Sequence, residues 1–414
     1  MGGRRGSNRK EARTAAAGDR ITDLPIELRA RIASFLHYRE VVQLSALSRP
    51  WRHIHHHAPV VKIYLFDFLH LPDLLFDEEH SVPGLLDEDS ILAVRVALGR
   101  RAHDGSASKV DTLRLAFSVD DPRMRRHAGR IIALADAPQI HVHSPYGGHA
   151  VREAWALDLP PAARRLHVVA IDHVVPTISR PGAAALRKLN LDMAVLRDWP
   201  DLPALRSLVL HSVTVEAPFA PGQWCPLLEE LDLFCCKIEQ ARVDIHLQHL
   251  KCLEMDSVDV RPQGQHDGPP YGIITIDAPE LEELDMIFDP GCTRDFKSFS
   301  LRAPKLRLLC WRNQFAERVR IDVGRPGSVK VGTIEFMSVY FREIKYYREQ
   351  MMRMLQGLLP DEPPESVADI ARPYLTLEEC PDSDEDDDTV EQKLTRDLKS
   401  PHVAWYLSEC FDRH

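Results

Sequence analysis

LEELDL at Leu228–Leu233 and LEELDM at Leu281–Met286 are two copies of one phrase, leucine-x-x-leucine-x-leucine, and its recurrence decides the architecture of this chain. The phrase returns as Leu186-Leu189-Leu191, Leu205-Leu208-Leu210, Leu250-Leu253-Met255 and Leu306-Leu309-Trp311, with a degenerate Val331-Ile334-Phe336. Successive first positions lie 19, 23, 22, 31, 25 and 25 residues apart. The widest interval contains RPQGQHDGPPYG (Arg261–Gly272), which has the composition of a loop inserted between units. The alternating end of the phrase reads as a short strand with its leucines turned inward, leaving the residues between them on the opposite face. A unit of this period cannot bury its apolar side alone and stacks on its neighbours.

Upstream, DRITDLPIELRARIASFLHYREVVQLSALSRPWRHIHHH (Asp19–His57) carries a different pattern. Thr22 or Asp23 is placed to cap a helix with Pro25 in its first turn. Leu24, Leu28, Ile32, Phe35 and Leu36 then recur at the spacing of one helical face. Val41, Val42, Leu44 and Leu47 form a second helical run, and Ser48, Pro50, Trp51 and Ile54 predict a third helix. Some forty residues bury too little surface to stand alone, so apolar side chains are expected to remain for the rest of the chain or a partner to cover.

Leu24-Pro25, Ile32-Ala-Ser-Phe35-Leu36 and Leu44-Ser-Ala-Leu47-Ser48-Arg49-Pro50-Trp51-Arg52 resemble the F-box pattern, departing from it at Pro50 and at Ile26-Glu27. The phrase spacing is similar to that of leucine-rich repeats. Together with the turns Cys225-Pro226, Ala278-Pro279 and Ala303-Pro304, the chain resembles plant F-box/leucine-rich-repeat proteins. The position three after the last leucine, often Asn or Cys in such repeats, holds Ala194, Val213, Cys236, Val258, Asp289 and Gln314, so only Cys236 fits and the curvature is expected to be uneven.

The expected fold is α/β: a small trihelical F-box followed by an irregular leucine-rich-repeat solenoid, or horseshoe, with a C-terminal capping helix. Its segments are a disordered basic lead-in at 1–18, the F-box at 19–58, the solenoid at 59–338, the capping helix at 339–360 and a largely disordered acidic tail at 361–414. Within the solenoid, Val60–Phe66 and Val110–Phe117 read as strands, Glu88–Gly99 and Arg123–Ala135 as helices, and further strands lie near Ile140 and Leu166.

Charge and composition narrow the function. Of the net charge of −10, Asp382–Asp388 (DSDEDDD) supplies six acids, so the remainder carries no field suited to nucleic acid. No apolar run reaches the ~18 residues of a membrane span, and the scattered cysteines suggest a reducing compartment, cytoplasm or nucleus. His53, His55, His56 and His57 lack accompanying metal-ligand spacing, and as the end of a helix they favour imidazolium. Phosphate loops, nucleophile elbows and paired CxxC motifs are absent from the sequence, which reads as a non-catalytic chain with no cofactor.

The resemblance implies a substrate receptor of an SCF-type ubiquitin ligase. Leu24, Pro25, Leu28, Ile32, Phe35, Leu36, Val41, Val42, Leu47, Ser48, Trp51 and Arg52 would contact a Skp-type adaptor, and through it a cullin and a RING subunit. The outward strand positions include Lys188, Asn190, Ser207, Val209, Glu230, Asp232, Glu254, Glu283, Asp285 and Glu335. The carboxylates among them, Glu230, Asp232, Glu254, Glu283, Asp285 and Glu335, suggest a face that receives a basic segment of the target. A repeat scaffold outside any ligase and a small-molecule co-receptor are the alternatives.

Overall fold

The computed structural model describes residues 21, 23–47, 49–70, 85–145, 154–264, 272–287, 296–312, 316–324, 329, 331–335, 356 and 404–405. It is a mixed α/β chain of parallel sheets with few helices, divided into two compact units: Met1–Gly147 with Leu157–Leu166, and Gly148–Ala156 with His167–His414. The expected basic lead-in lies outside the described residues. So do the capping helix and acidic tail, apart from Gln356 and a two-residue strand, Ala404–Trp405.

The first unit opens with α1 (Ile26–Ala33) and α2 (Tyr38–Leu47). Pro25 is itself the N-cap of α1, and its carbonyl accepts from the Leu28 and Arg29 amides at 3.1 Å. Asp23 therefore does not cap this helix, contrary to the sequence reading. Glu40 caps α2 by reaching back to the His37 amide at 2.9 Å. Ala30 and Ala33 pack with Val41, Trp51, Ile54 and Ala58, and Leu36 closes the edge.

The third helix does not form. Arg49–Trp51 and Ile54–His56 are single 3-10 turns instead. Pro59 disfavours helix at Ala58 and the next strand starts at Val60, so the segment ends soon after the second turn. The buried Arg101 stabilises this geometry by donating to the carbonyls of His55 at 3.0 Å, Ser108 at 2.8 Å and Lys109 at 3.2 Å.

Behind the turns, β1 (Val60–Tyr64), β2 (Thr112–Ala116) and β3 (Gln139–Ser144) form a parallel, in-register sheet. The intervening helices, α3 (Glu88–His103) and α4 (Pro122–Ala135), start on side-chain caps: Asp87 accepts from the Ser90 amide and Asp121 from the Arg123 amide. Sequence expectations for these five elements agree within a few residues.

In the second unit the repeated phrase ends in strands β4 (Lys188–Asp192), β5 (Ser207–His211), β6 (Glu230–Phe234), β8 (Cys252–Asp256), β10 (Glu283–Ile287), β12 (Leu308–Arg312) and β14 (Val331–Glu335). Four strands between them, β7 (Arg242–His246), β9 (Gly272–Asp277), β11 (Phe296–Arg302) and β13 (Ala316–Asp322), carry no phrase and were not expected from the sequence. Strands β4-β5-β6-β8-β10-β12-β14 make one parallel sheet and β7-β9-β11-β13 another. A third parallel set joins Val195–Leu196, Thr214–Val215, Lys237–Ile238 and Asp259–Val260. All three leucine positions of the first six phrases are buried, from Leu186, Leu189 and Leu191 through Leu306, Leu309 and Trp311. Side chains at every second strand position therefore share the core, and those between them share the other face.

Each turn after β4, β5, β6 and β8 starts with a left-handed residue that is not glycine: Met193 (φ 52), Ser212 (φ 53), Cys235 (φ 50) and Ser257 (φ 53). This turn aims the residue's amide at the last carbonyl of the following repeat, as Met193 N to His211 O at 2.9 Å and Ser212 N to Phe234 O at 2.8 Å. Cys236, the one position matching the usual repeat residue, donates its thiol to the Leu210 carbonyl at 3.2 Å.

Two substitutions test this packing. A Cβ on Gly222 would lie 2.3 Å from the His246 carbonyl oxygen, so Gly222→Ala should cost about 1–3 kcal/mol. Met193→Gly removes left-handed strain and should stabilise by up to about 1 kcal/mol. Thermal or urea unfolding of the two variants should move in opposite directions.

Candidate functional site

In the first unit, burial of two small side chains decides what α1 displays. Ala30 and Ala33 allow its backbone to lie close to Val41, Trp51 and Ile54. The larger residues at the i, i+4, i+7 positions then turn outward: Leu28 is 48% exposed, Ile32 40% and Phe35 75%. Pro25 and Ile26 are exposed beside them and Leu24 is half-buried. Lys62 supports the end of the stripe, with Nζ 3.2 Å from the Phe35 carbonyl and 5.8 Å from the ring centre.

The remaining expected adaptor contacts divide. Val42 and Leu36 are half-buried and Arg52 is exposed. Val41 and Trp51 are buried in the unit's own core, with Trp51 only 9% exposed, so they support the stripe from behind. Ser48 and the side chain of Leu47 lie outside the described residues.

His55 and His57 depart from the expected protonation, since burial lowers the pKa of both. Burial, followed by the neighbouring His56, His53, Arg101 and His57, lowers the His55 pKa to about 4. A helix C-terminus would have favoured imidazolium, but no helix ends here, and the nearest groups are cationic or become so. His56 alone finds a carboxylate, Asp104, at 2.8 Å.

In the second unit, register brings the carboxylates together. Lys188, Ser207, Glu230, Cys252 and Glu283 form one row across β4, β5, β6, β8 and β10. Asn190, Val209, Asp232, Glu254 and Asp285 form the next. Five of the six proposed target residues thus share a face; Glu335 ends β14 and its side chain lies outside the described residues. Ser207, expected to be exposed, is only 7% so.

These rows differ from the charges one residue before the strands. There, Arg206 and Lys251 both pair with Glu229, and Arg307 pairs with Glu282, so opposite signs alternate. Within the rows the acids repel. Burial raises the Asp232 pKa, with Glu230 adding to it. Burial also raises Glu254, helped by Asp232, Asp285 and Asp256, and raises Asp285. The same surroundings push the Cys252 thiol up to about 11, first through burial and then through Glu283 and Glu230, which keeps it protonated and unreactive.

The third row, Asp192, His211, Phe234 and Asp256, escaped the sequence reading. Asp192 lies between His167 and His211, and the His211 and Phe234 rings are 4.9 Å apart. All four row positions directly follow the last leucine or methionine of a phrase, a signal the sequence did contain. Among the described residues no group of three or more His, Cys, Asp or Glu is arranged to hold a metal ion. No helix among them is long and apolar enough to cross a membrane.

Two pH-dependent outcomes follow. A lowered folded-state pKa means that the contribution of neutral His55 is complete above 6.5 and is lost as pH falls towards about 4. His55→Asn should therefore unfold with a weaker pH dependence than wild type across that interval, measured by thermal melting. A raised carboxylate pKa has the opposite sign, because protonation relieves repulsion as pH falls. Glu254→Gln should melt higher than wild type at pH 7, with the gain disappearing below the ordinary glutamate value of 4.5.

No protein-family model matches this chain, and no solved structure matches it.

Proposed function

We propose that this chain is the substrate-recognition subunit of an SCF-type ubiquitin ligase. In this reading, residues 19–58 act as the F-box that binds a Skp-type adaptor, and through it a cullin and a RING subunit. The second unit is an irregular leucine-rich-repeat solenoid that holds the target. The chain itself performs no chemistry. It raises the local concentration of the target near the ubiquitin-loaded enzyme, and positioning of this kind alone accelerates transfer. Cytoplasm or nucleus is the matching compartment.

The observation that carries the reading is the outward stripe of Leu28 and Ile32 on a helix whose other side is already packed, continued by Phe35 in the turn after it. Large apolar side chains at helical spacing, left in water beside a finished core, suit a helical or grooved partner surface. Burial of Val41 and Trp51 within the unit favours a second reading, in which these helices belong to a repeat scaffold working outside any ligase.

Adaptor capture separates the two. Leu28→Asp with Phe35→Asp changes exposed positions only, so the melting temperature should stay within a few degrees of wild type. Loss of a central anchor typically costs ~2 kcal/mol, about 30-fold in affinity. Quantitative pull-down of purified adaptor should fall by at least that factor; equal recovery would leave the scaffold reading.

A further inference from the structure

We propose that the carboxylate rows of the second unit seat an extended, lysine- or arginine-rich segment of a partner protein, with Asp232, Glu254 and Asp285 in line at the centre and Glu230 and Glu283 beside them. The proposal deepens the receptor reading by naming the chemistry of the target.

The spacing suits such a segment. Neighbouring strands lie about 4.8 Å apart, and alternate residues along one strand about 6.7 Å apart. Glu230 and Asp232 on β6, and Glu283 and Asp285 on β10, are therefore separated like alternate side chains of an extended peptide. Basic residues at every second position meet one carboxylate each, and Glu254 on β8 stands between the two pairs. The aliphatic stem or an apolar neighbour has a place on Phe234, which is 41% exposed and backed by His211.

A second observation, independent of the charge, points to a donor-rich ligand. Ser207 projects from this face as the register partner of Glu230, is more than nine-tenths buried, and its Oγ has no hydrogen-bond partner among the described residues. Asn190 Oδ1 and one carboxylate oxygen, Asp285 Oδ1, in the neighbouring row also lack a partner among the described residues, although both residues are half-buried and the Asp285 carboxylate interacts with the Cys310 thiol. Acceptors left empty in a folded protein carry a desolvation penalty, and ammonium, guanidinium and peptide N–H groups are the donors that relieve it. Across β4, β5, β6, β8, β10 and β12 the two carboxylate rows contain one cation, Lys188, at the β4 end. Nucleic acid is repelled, and a divalent ion lacks a convergent ligand set.

The test uses the full chain and a fluorescein-labelled nonapeptide with lysine at alternate positions, followed by fluorescence polarisation, with a glutamate-substituted peptide as control. Wild type should bind the lysine peptide at low salt, ignore the control, and weaken as salt rises. The isosteric pair Asp232→Asn with Asp285→Asn preserves shape and should weaken binding at least tenfold, while adaptor capture stays at the wild-type level. Unchanged peptide affinity in this variant overturns the proposal, as does equal binding of the control or stoichiometric displacement by calcium. Wild-type chain that binds the lysine peptide but captures no adaptor would count against the ligase reading alone.

Discussion

Burial on one side of a short element dictates what its other side presents, and both units depend on that constraint. In α1 the inward positions are Ala30 and Ala33, small enough for close approach to Trp51 and Ile54, and the bulky residues have no remaining place in the core. In the main sheet of the second unit the inward positions are leucine, methionine and tryptophan, and the two-residue strand period sends every intervening side chain outward in register. Neither display surface requires an element of its own. Each is the reverse side of a packing solution.

The cost of the two displays differs in kind. Along α1 it is unrealised hydrophobic burial, of about 1.5–3 kcal/mol for each large side chain that a partner would fully cover. Across the sheet it is electrostatic: Asp232, Glu254 and Asp285 all titrate above the ordinary carboxylate range because burial and like charge oppose ionisation. One residue away, Arg206, Glu229 and Lys251 neutralise one another, so this sheet readily accommodates compensated charge. Concentration of both costs on two displayed faces is the pattern expected of surfaces kept for partners rather than for stability.

Much of this was legible in the sequence where a single period governs burial. The leucine phrases marked the strands of the main sheet, whose register follows because a slip by one residue would expose every leucine, whereas the β7-β9-β11-β13 sheet has no such phrase and went unforeseen. Helices α3 and α4 were expected at Glu88–Gly99 and Arg123–Ala135 and are found at Glu88–His103 and Pro122–Ala135. The third N-terminal helix predicted from Ser48 and Pro50 is replaced by two 3-10 turns, whose carbonyl at His55 is satisfied by Arg101, a partner from a distant helix that no local signal contains. Trp51 and Val41 were read as contacts although a core of this size needs them inside. Asp192, His211, Phe234 and Asp256 become one row only when separate strands are aligned, information that no single phrase contains. Burial of Ser207 likewise depends on neighbours from adjacent strands.

In the free chain Leu28, Ile32 and Phe35 stand in water. Hydroxyl-radical footprinting with residue-level mass spectrometry tests it directly, using buried Leu231 as an internal reference. The account predicts strong oxidation of all three residues in the isolated protein and protection when the adaptor is added. Oxidation as slow as that of Leu231 in the isolated protein would show the stripe to be covered by its own chain and would contradict the account.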